Sequence, residues 1–400
     1  MCMSKILNNL NALNNFYYYF SLFLFSIILF LLSDNIYEFD LDIINQQDAR
    51  YYIKLANNPL DIVNLNPYYS SRILSPLLVY FWNNFFGIDL FYSFKILVTF
   101  VFFLLNTQIF NYLSSSSGKI ESVLIVFLLS SSNWILIYNF FNPYQLIDLI
   151  TILIIINIFF YYKKKNYGKL LIWCLAGVLN KHYLIILICL VYFDLLIKNK
   201  FNRNILASSI IILISFFLLH FLAGLNIKES SSNLLMLELI DIWIIESINK
   251  LSFHLFEFIT DKNYLYLLPF IFLFFNKRLL NIIKRNYPFF IYTFVITILL
   301  IIMYDKFRGE NFPRVFYQSL YPLLIIIFFD FFKNYKTSLY TFLLLLFSSI
   351  LICLEYIIFI LDGSGNFVSY MLYGRYNNFY SSIYLSSCIF LILKLTHNEK

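Results

Sequence analysis

Charge is in short supply: Asp, Glu, Lys and Arg make up 13% of the 400 residues, against 61% that are hydrophobic. A soluble globule of this length cannot be clothed with so little polar surface, which excludes that class and leaves a membrane class. Glycine is also scarce, at 9 residues, while Phe, Tyr, Ile, Asn and Lys abound. An AT-rich coding sequence yields the same bias, so aromatic counts alone carry no functional argument. The 5 cysteines are Cys2, Cys174, Cys189, Cys353 and Cys388. They show no CxxC pairing, and all but the first fall in apolar runs, so they read as buried free thiols. HExxH and Cys/His ligand spacings are absent. Walker A and GxGxxG are absent as well, which argues against nucleotide-driven chemistry. The formal net charge of +7 does not point to nucleic acid. The cations sit in short clusters between apolar runs, a pattern that reads as membrane topology.

What the chain has is apolar length. A helix needs about 20 apolar residues, with roughly 17 tolerated, to cross about 30 Å of hydrocarbon. Such stretches occur at residues 16–32, 90–113, 123–141, 146–162, 205–226, 288–304, 315–332, 339–361 and 379–393, with a shorter one at 264–275. The first lacks a small-residue cleavage site and reads as a retained anchor. The most basic connectors hold Lys163, Lys164, Lys165 and Lys169; Lys198, Lys200 and Arg203; Lys277, Arg278, Lys284 and Arg285; and Lys333 with Lys336. These are expected on the cytoplasmic side. Residues 170–197 are too long for one span and have basic flanks on both sides, which predicts a hairpin of two short helices tipped near Asn180, Lys181 and His182.

With 73–86 taken as a juxtamembrane or re-entrant helix, the reading is all-α: a single polytopic transmembrane bundle over 1–400, with about twelve membrane helices and both termini cytoplasmic. Residues 33–89 then form a first outer loop with juxtamembrane helices. Residues 227–262 form a second, in which 235–258 is expected to lie on the outer surface as an interfacial helix with Glu246, Lys250, Glu257 and Asp261 on its polar side.

That topology gathers Asp48, Arg50, Arg72, Asp148, Lys181, His182, Arg308, Arg314 and Arg375 on the outer side. Asp48, at the start of a predicted helix, reads either as a helix N-terminal charge or as a general base or metal ligand. Arg72 either snorkels to the interface or pairs with a phosphate, which its guanidinium fork suits. Asp148 lies just inside an apolar span, where a helix N-terminus stabilises a carboxylate. Lys181 and His182 interrupt an apolar stretch and call for a polar cavity or partner. Arg308 and Arg314 flank one short outer loop, either as inert charges or as ion-pair partners of the acidic first loop. His220 and His254 are too isolated to be metal ligands.

Taken together, DARYYIKLA at Asp48, YYSSRILSPLL at Arg72, FNPYQLIDL at Asp148, GVLNKHYLI at Lys181 and FPRVFYQSLYPLL at Arg314 make the chain resemble the GT-C class of membrane glycosyltransferases. The resemblance implies a GT-C-like bundle in a bacterial inner (plasma) membrane, with its active site on the outer face. It would take a sugar from a polyprenyl-phosphate-linked donor to an acceptor glycan, lipid or protein, in cell-surface glycan or glycolipid assembly. Asp48 becomes the catalytic or metal-binding acid, so a divalent cation is a candidate cofactor, and Asp148 is a second catalytic candidate. Arg72, Lys181 and Arg314 are candidates for the lipid phosphate, with His182, Arg308 and Arg375 as further substrate-binding residues. Members often carry a Lys-Glu or Arg-Glu pair where this chain has Lys181 and His182. A polysaccharide polymerase and a lipid-linked sugar flippase are the alternative classes. The first is disfavoured because the most acidic, Tyr-rich loop comes first in the chain, the second because no internal repeat is visible.

Overall fold

A computed structural model of the chain describes residues 11–34, 49–59, 69, 71–132, 139–140, 142–198, 202–224, 245–246, 248–260, 277–304, 311–336, 347 and 398–399. Their architecture is helical. In chain order the helices are α1 (Asn15–Asp34), α2 (Ala49–Asn57), α3 (Leu74–Phe86), α4 (Leu90–Ser114), α5 (Lys119–Ser132), α6 (Leu146–Lys163), α7 (Tyr167–Asn180), α8 (Leu184–Lys198), α9 (Arg203–Gly224), α10 (Leu251–Thr260), α11 (Lys277–Arg285), α12 (Tyr287–Ile302) and α13 (Asn311–Asn334). A 3-10 turn, Pro143–Gln145, leads into α6. The only strands among the described residues are β1 (Tyr335–Lys336) and β2 (Asn398–Glu399), an antiparallel pair that brings the last residues to the end of α13.

Local chemistry sets several boundaries. α3 stops at Gly87, whose left-handed φ of 64° is the conformation glycine adopts without a Cβ penalty, and whose N–H bonds the Asn83 carbonyl. Asp89 then caps α4 by accepting from the Phe91 N–H. Asn166 does the same for α7 by accepting from the Lys169 N–H. Proline opens α12 at Pro288, where a missing N–H costs nothing, whereas Pro322 falls inside α13 and removes one hydrogen bond from it.

Among the described residues, three helical stretches are long and apolar enough to cross a membrane: Leu90–Ser114, Pro143–Lys163 and Arg203–Leu222. The bundle is centred on α6, which is buried almost throughout and packs against α3, α4, α7 and α13. α9 is its opposite. Only 17% of its apolar stretch is covered, and Ile210, Ile214, Phe217 and Phe221 stand outward. Outward-facing apolar residues on this scale are a liability in water and the normal state in lipid.

The expected hairpin is present, with α7 ending at Asn180 and α8 starting at Leu184. At 13 residues, α3 rises about 20 Å, short of a crossing. α10 seats His254 and Phe258 on the end of α12, with His254 Nδ1 2.7 Å from the Ile302 carbonyl oxygen. Glu246 and Lys250 are exposed, and Asp261 lies outside the described residues. The stretches expected to span at 264–275 and 379–393 also lie outside them, as does 339–361 apart from Phe347.

The bundle has two polar ends. At the basic end, Asp194 of α8 accepts hydrogen bonds from the hydroxyls of Tyr162 and Tyr287 and pairs with Lys198 at 2.8 Å. Nearby, Asn286 donates to Asp330 of α13 at 2.5 Å and Lys163 Nζ to the Arg285 carbonyl at 3.3 Å. The other end is formed by the starts of α6 and α13, the α7–α8 turn, and α2 with α3.

Candidate functional site

At that second end, Asp148 sits in the first turn of α6, the helix position that favours a carboxylate, and is 1% exposed. Lys181 follows the last residue of α7 in extended conformation, which turns its side chain off the helix axis. Its ammonium is 2.5 Å from Asp148 Oδ1 and 2.8 Å from Gln318 Oε1. The preceding residue anchors the turn: Asn180 Nδ2 donates to the Ile147 carbonyl at 3.1 Å and to Thr151 Oγ1 at 2.8 Å. From the far side of the turn, the Tyr183 hydroxyl donates to the same Gln318 oxygen. Arg314, one helical turn before Gln318 on α13, brings its Nε to 3.4 Å from Asp148 Oδ2. One carboxylate thus holds two cations from two other segments. A salt bridge so far from water is maintained by geometry and extra hydrogen bonds: Gln318 accepts one from Lys181, and Asn180 fixes the turn that carries Lys181.

Arg72 joins from the turn just before α3, against Tyr52 of α2. It is 4% exposed, donates from Nη1 to the Tyr52 hydroxyl at 3.1 Å, and lies beside the Tyr69 ring. Tyr52 is on the buried face of α2 with Ala49, Leu55 and Ala56, and Tyr69 stacks on Tyr51 at 4.1 Å between centroids. Arg72 is close enough to act electrostatically on both Lys181 and His182, and Arg314 acts on Lys181. His182 stands edge-on to His220 with ring centroids 6.2 Å apart, and His220 Nδ1 is 2.9 Å from the Phe216 carbonyl oxygen. No group of three or more His, Cys, Asp or Glu gathers among the described residues.

The structure therefore brings together five of the residues singled out from sequence. Asp148, Lys181 and Arg314 are in direct contact, and Arg72 and His182 stand beside them. Asp48, Arg308 and Arg375 lie outside the described residues, although α2 starts at the residue after Asp48. Arg50 is exposed on α2 and donates to the Tyr51 hydroxyl at 2.6 Å. Asp148 has both oxygens facing cations, Oδ1 toward Lys181 and Oδ2 toward Arg314.

Sequence reasoning did not find Gln318, Tyr183 or Tyr52. The available signal was spacing: Gln318 is four residues after Arg314, and Tyr183 is two after Lys181. It also passed over Lys95, which is 1% exposed in α4 with its ammonium 4.6 Å from the Phe30 ring centroid.

No family model matches this chain, and no curated protein or solved structure matches it significantly.

Proposed function

We propose that this chain is a membrane glycosyltransferase of the GT-C kind, which moves a sugar from a polyprenyl-phosphate-linked donor to an acceptor at the outer face of a bacterial plasma membrane. The observation that carries the reading is the meeting of Lys181 and Arg314 on Asp148, with Arg72 near Lys181, at one end of a helical bundle with lipid-suited surfaces. Cations concentrated at one buried spot are the chemistry that takes up a phosphate, and guanidinium groups suit its oxygens. The two polar ends are separated by the 18 residues of α6, about 27 Å of helix, close to the thickness of a hydrocarbon core. About twelve membrane helices would complete the bundle.

In this reading Asp48 accepts the proton of the acceptor hydroxyl as its oxygen attacks the anomeric carbon. The bond from that carbon to the phosphate oxygen breaks, and the departing polyprenyl phosphate keeps the electron pair. Arg72, Lys181 and Arg314 stabilise its charge, and Asp148 keeps two of these cations in place. Direct displacement inverts the sugar carbon.

A buried Lys–Asp pair inside a helical bundle also suits a transporter of lipid-linked sugars, in which such charges line the pathway. Asp48 separates the two, because bond making needs that carboxylate and translocation does not. Asp48→Asn is expected to abolish sugar transfer while leaving donor binding near wild type. Undiminished turnover in this variant would refute the catalytic role.

A further inference from the structure

We infer that the Gln318 side-chain amide is part of the anion site and donates a hydrogen bond from Nε2 to a phosphoryl oxygen of the ligand. The inference rests on the phosphate reading above and adds a residue that neither the sequence motifs nor the ion pairs disclose. Gln318 is 0% exposed, on the face of α13 that also carries Arg314. Its Oε1 accepts from Lys181 Nζ at 2.8 Å and from the Tyr183 hydroxyl. An ammonium is a donor only, so the amide oxygen must face Lys181 and the amide nitrogen must face away from it. Nε2 is thereby left buried with two N–H donors and no hydrogen-bond partner among the described residues.

Buried donors are seldom left without an acceptor, because losing water's hydrogen bonds is not compensated. Beside Lys181 and Arg314, the acceptor favoured by the local field is an anionic oxygen. A phosphoryl group brings acceptor-only oxygens and the negative charge that the cations attract. Tyr183 and Lys181 then act as positioning residues, since together they fix which way the amide points.

The test uses the full-length protein in detergent, with thermal unfolding followed against increasing polyprenyl phosphate and, in parallel, inorganic phosphate. Gln318→Glu keeps an acceptor for Lys181 and Tyr183 but puts a carboxylate oxygen where the donor was. The ligand-free variant should unfold at or above the wild-type temperature, because Lys181 gains a second carboxylate partner. Its affinity for polyprenyl phosphate should fall about ten- to a hundredfold, the weight of one hydrogen bond to a charged group. Gln318→Met, neutral and of similar length, should fall less, and it decides the question alone if Gln318→Glu does not fold.

An equal loss with inorganic phosphate supports the contact and makes the phosphoryl group itself the ligand. A loss confined to polyprenyl phosphate supports it and assigns the site to the lipid. Wild-type affinity for both ligands in the variants overturns the contact. Should wild type bind neither ligand while Asp48→Asn still abolishes transfer, the contact is wrong and the glycosyltransferase reading stands. Should the Gln318 variants lose affinity while the wild-type protein transfers no sugar, the contact stands and the glycosyltransferase reading falls.

Discussion

Lys181 is 3% exposed and Asp148 1%, so water stabilises neither charge and each depends on the other. Removing the carboxylate leaves the ammonium with Gln318 and Tyr183 around it and two arginines nearby. Asp148→Ala is therefore expected to destabilise the protein by about 3–5 kcal/mol. Replacing the pair together, as Asp148→Leu with Lys181→Met, is expected to recover most of this, because two apolar side chains of similar volume need no compensation. Unfolding in detergent micelles measures both. A loss below about 1 kcal/mol in the single variant, the level of an exposed ion pair, would contradict a buried one.

The residues of this cluster were legible in the sequence to the extent that they carry charge. An ionisable group in an apolar run is costly enough to stand out, which is how Asp148, Lys181 and Arg72 declare themselves. Their pairing was not legible, because Asp148, Lys181 and Arg314 come from three segments and nothing in one segment names its neighbour. Neutral polar residues such as Gln318 and Tyr183 carry a smaller penalty and blend into the aromatic, Asn-rich background. Lys95 carries the same signal as Lys181 and still is not among the residues the sequence reading singles out.

Among the elements, the hairpin of α7 and α8 followed from length and from basic residues at both flanks, and α2 from the pattern after Asp48. Which face each helix buries did not follow. α10 shows this: the buried pair is His254 and Phe258, one turn apart, while Phe253, Phe256 and Ile259 face outward. α9 offers a test of the solvent around the bundle. Ile214 lies near its middle and is 60% exposed. In water, Ile214→Lys would be tolerated or would improve solubility. In a bilayer it is expected to cost roughly 2.5–3.5 kcal/mol and to lower the inserted fraction. Lysine at the exposed Asn204, at the start of the same helix, serves as the control. Equal insertion of the two variants would contradict a lipid-facing α9.

On the scale of the whole molecule, the chain divides its polar chemistry between two ends joined by apolar helices. At the basic end, Asp194 and Asp330 are held by Tyr162, Tyr287, Lys198 and Asn286, a set of contacts that ties α6, α8, α12 and α13 together. At the other end α6, α13 and the α7–α8 turn present Asp148, Arg314 and Lys181, the proposed site for the phosphate of a lipid-linked sugar. The most direct measurement is to incubate purified protein with a polyprenyl-phosphate-sugar pool and follow free polyprenyl phosphate by mass spectrometry. Release above a protein-free control, lost in Asp48→Asn and reduced in Lys181→Gln, is the predicted result. A pool left intact by the wild-type protein, with acceptor present, would contradict the account.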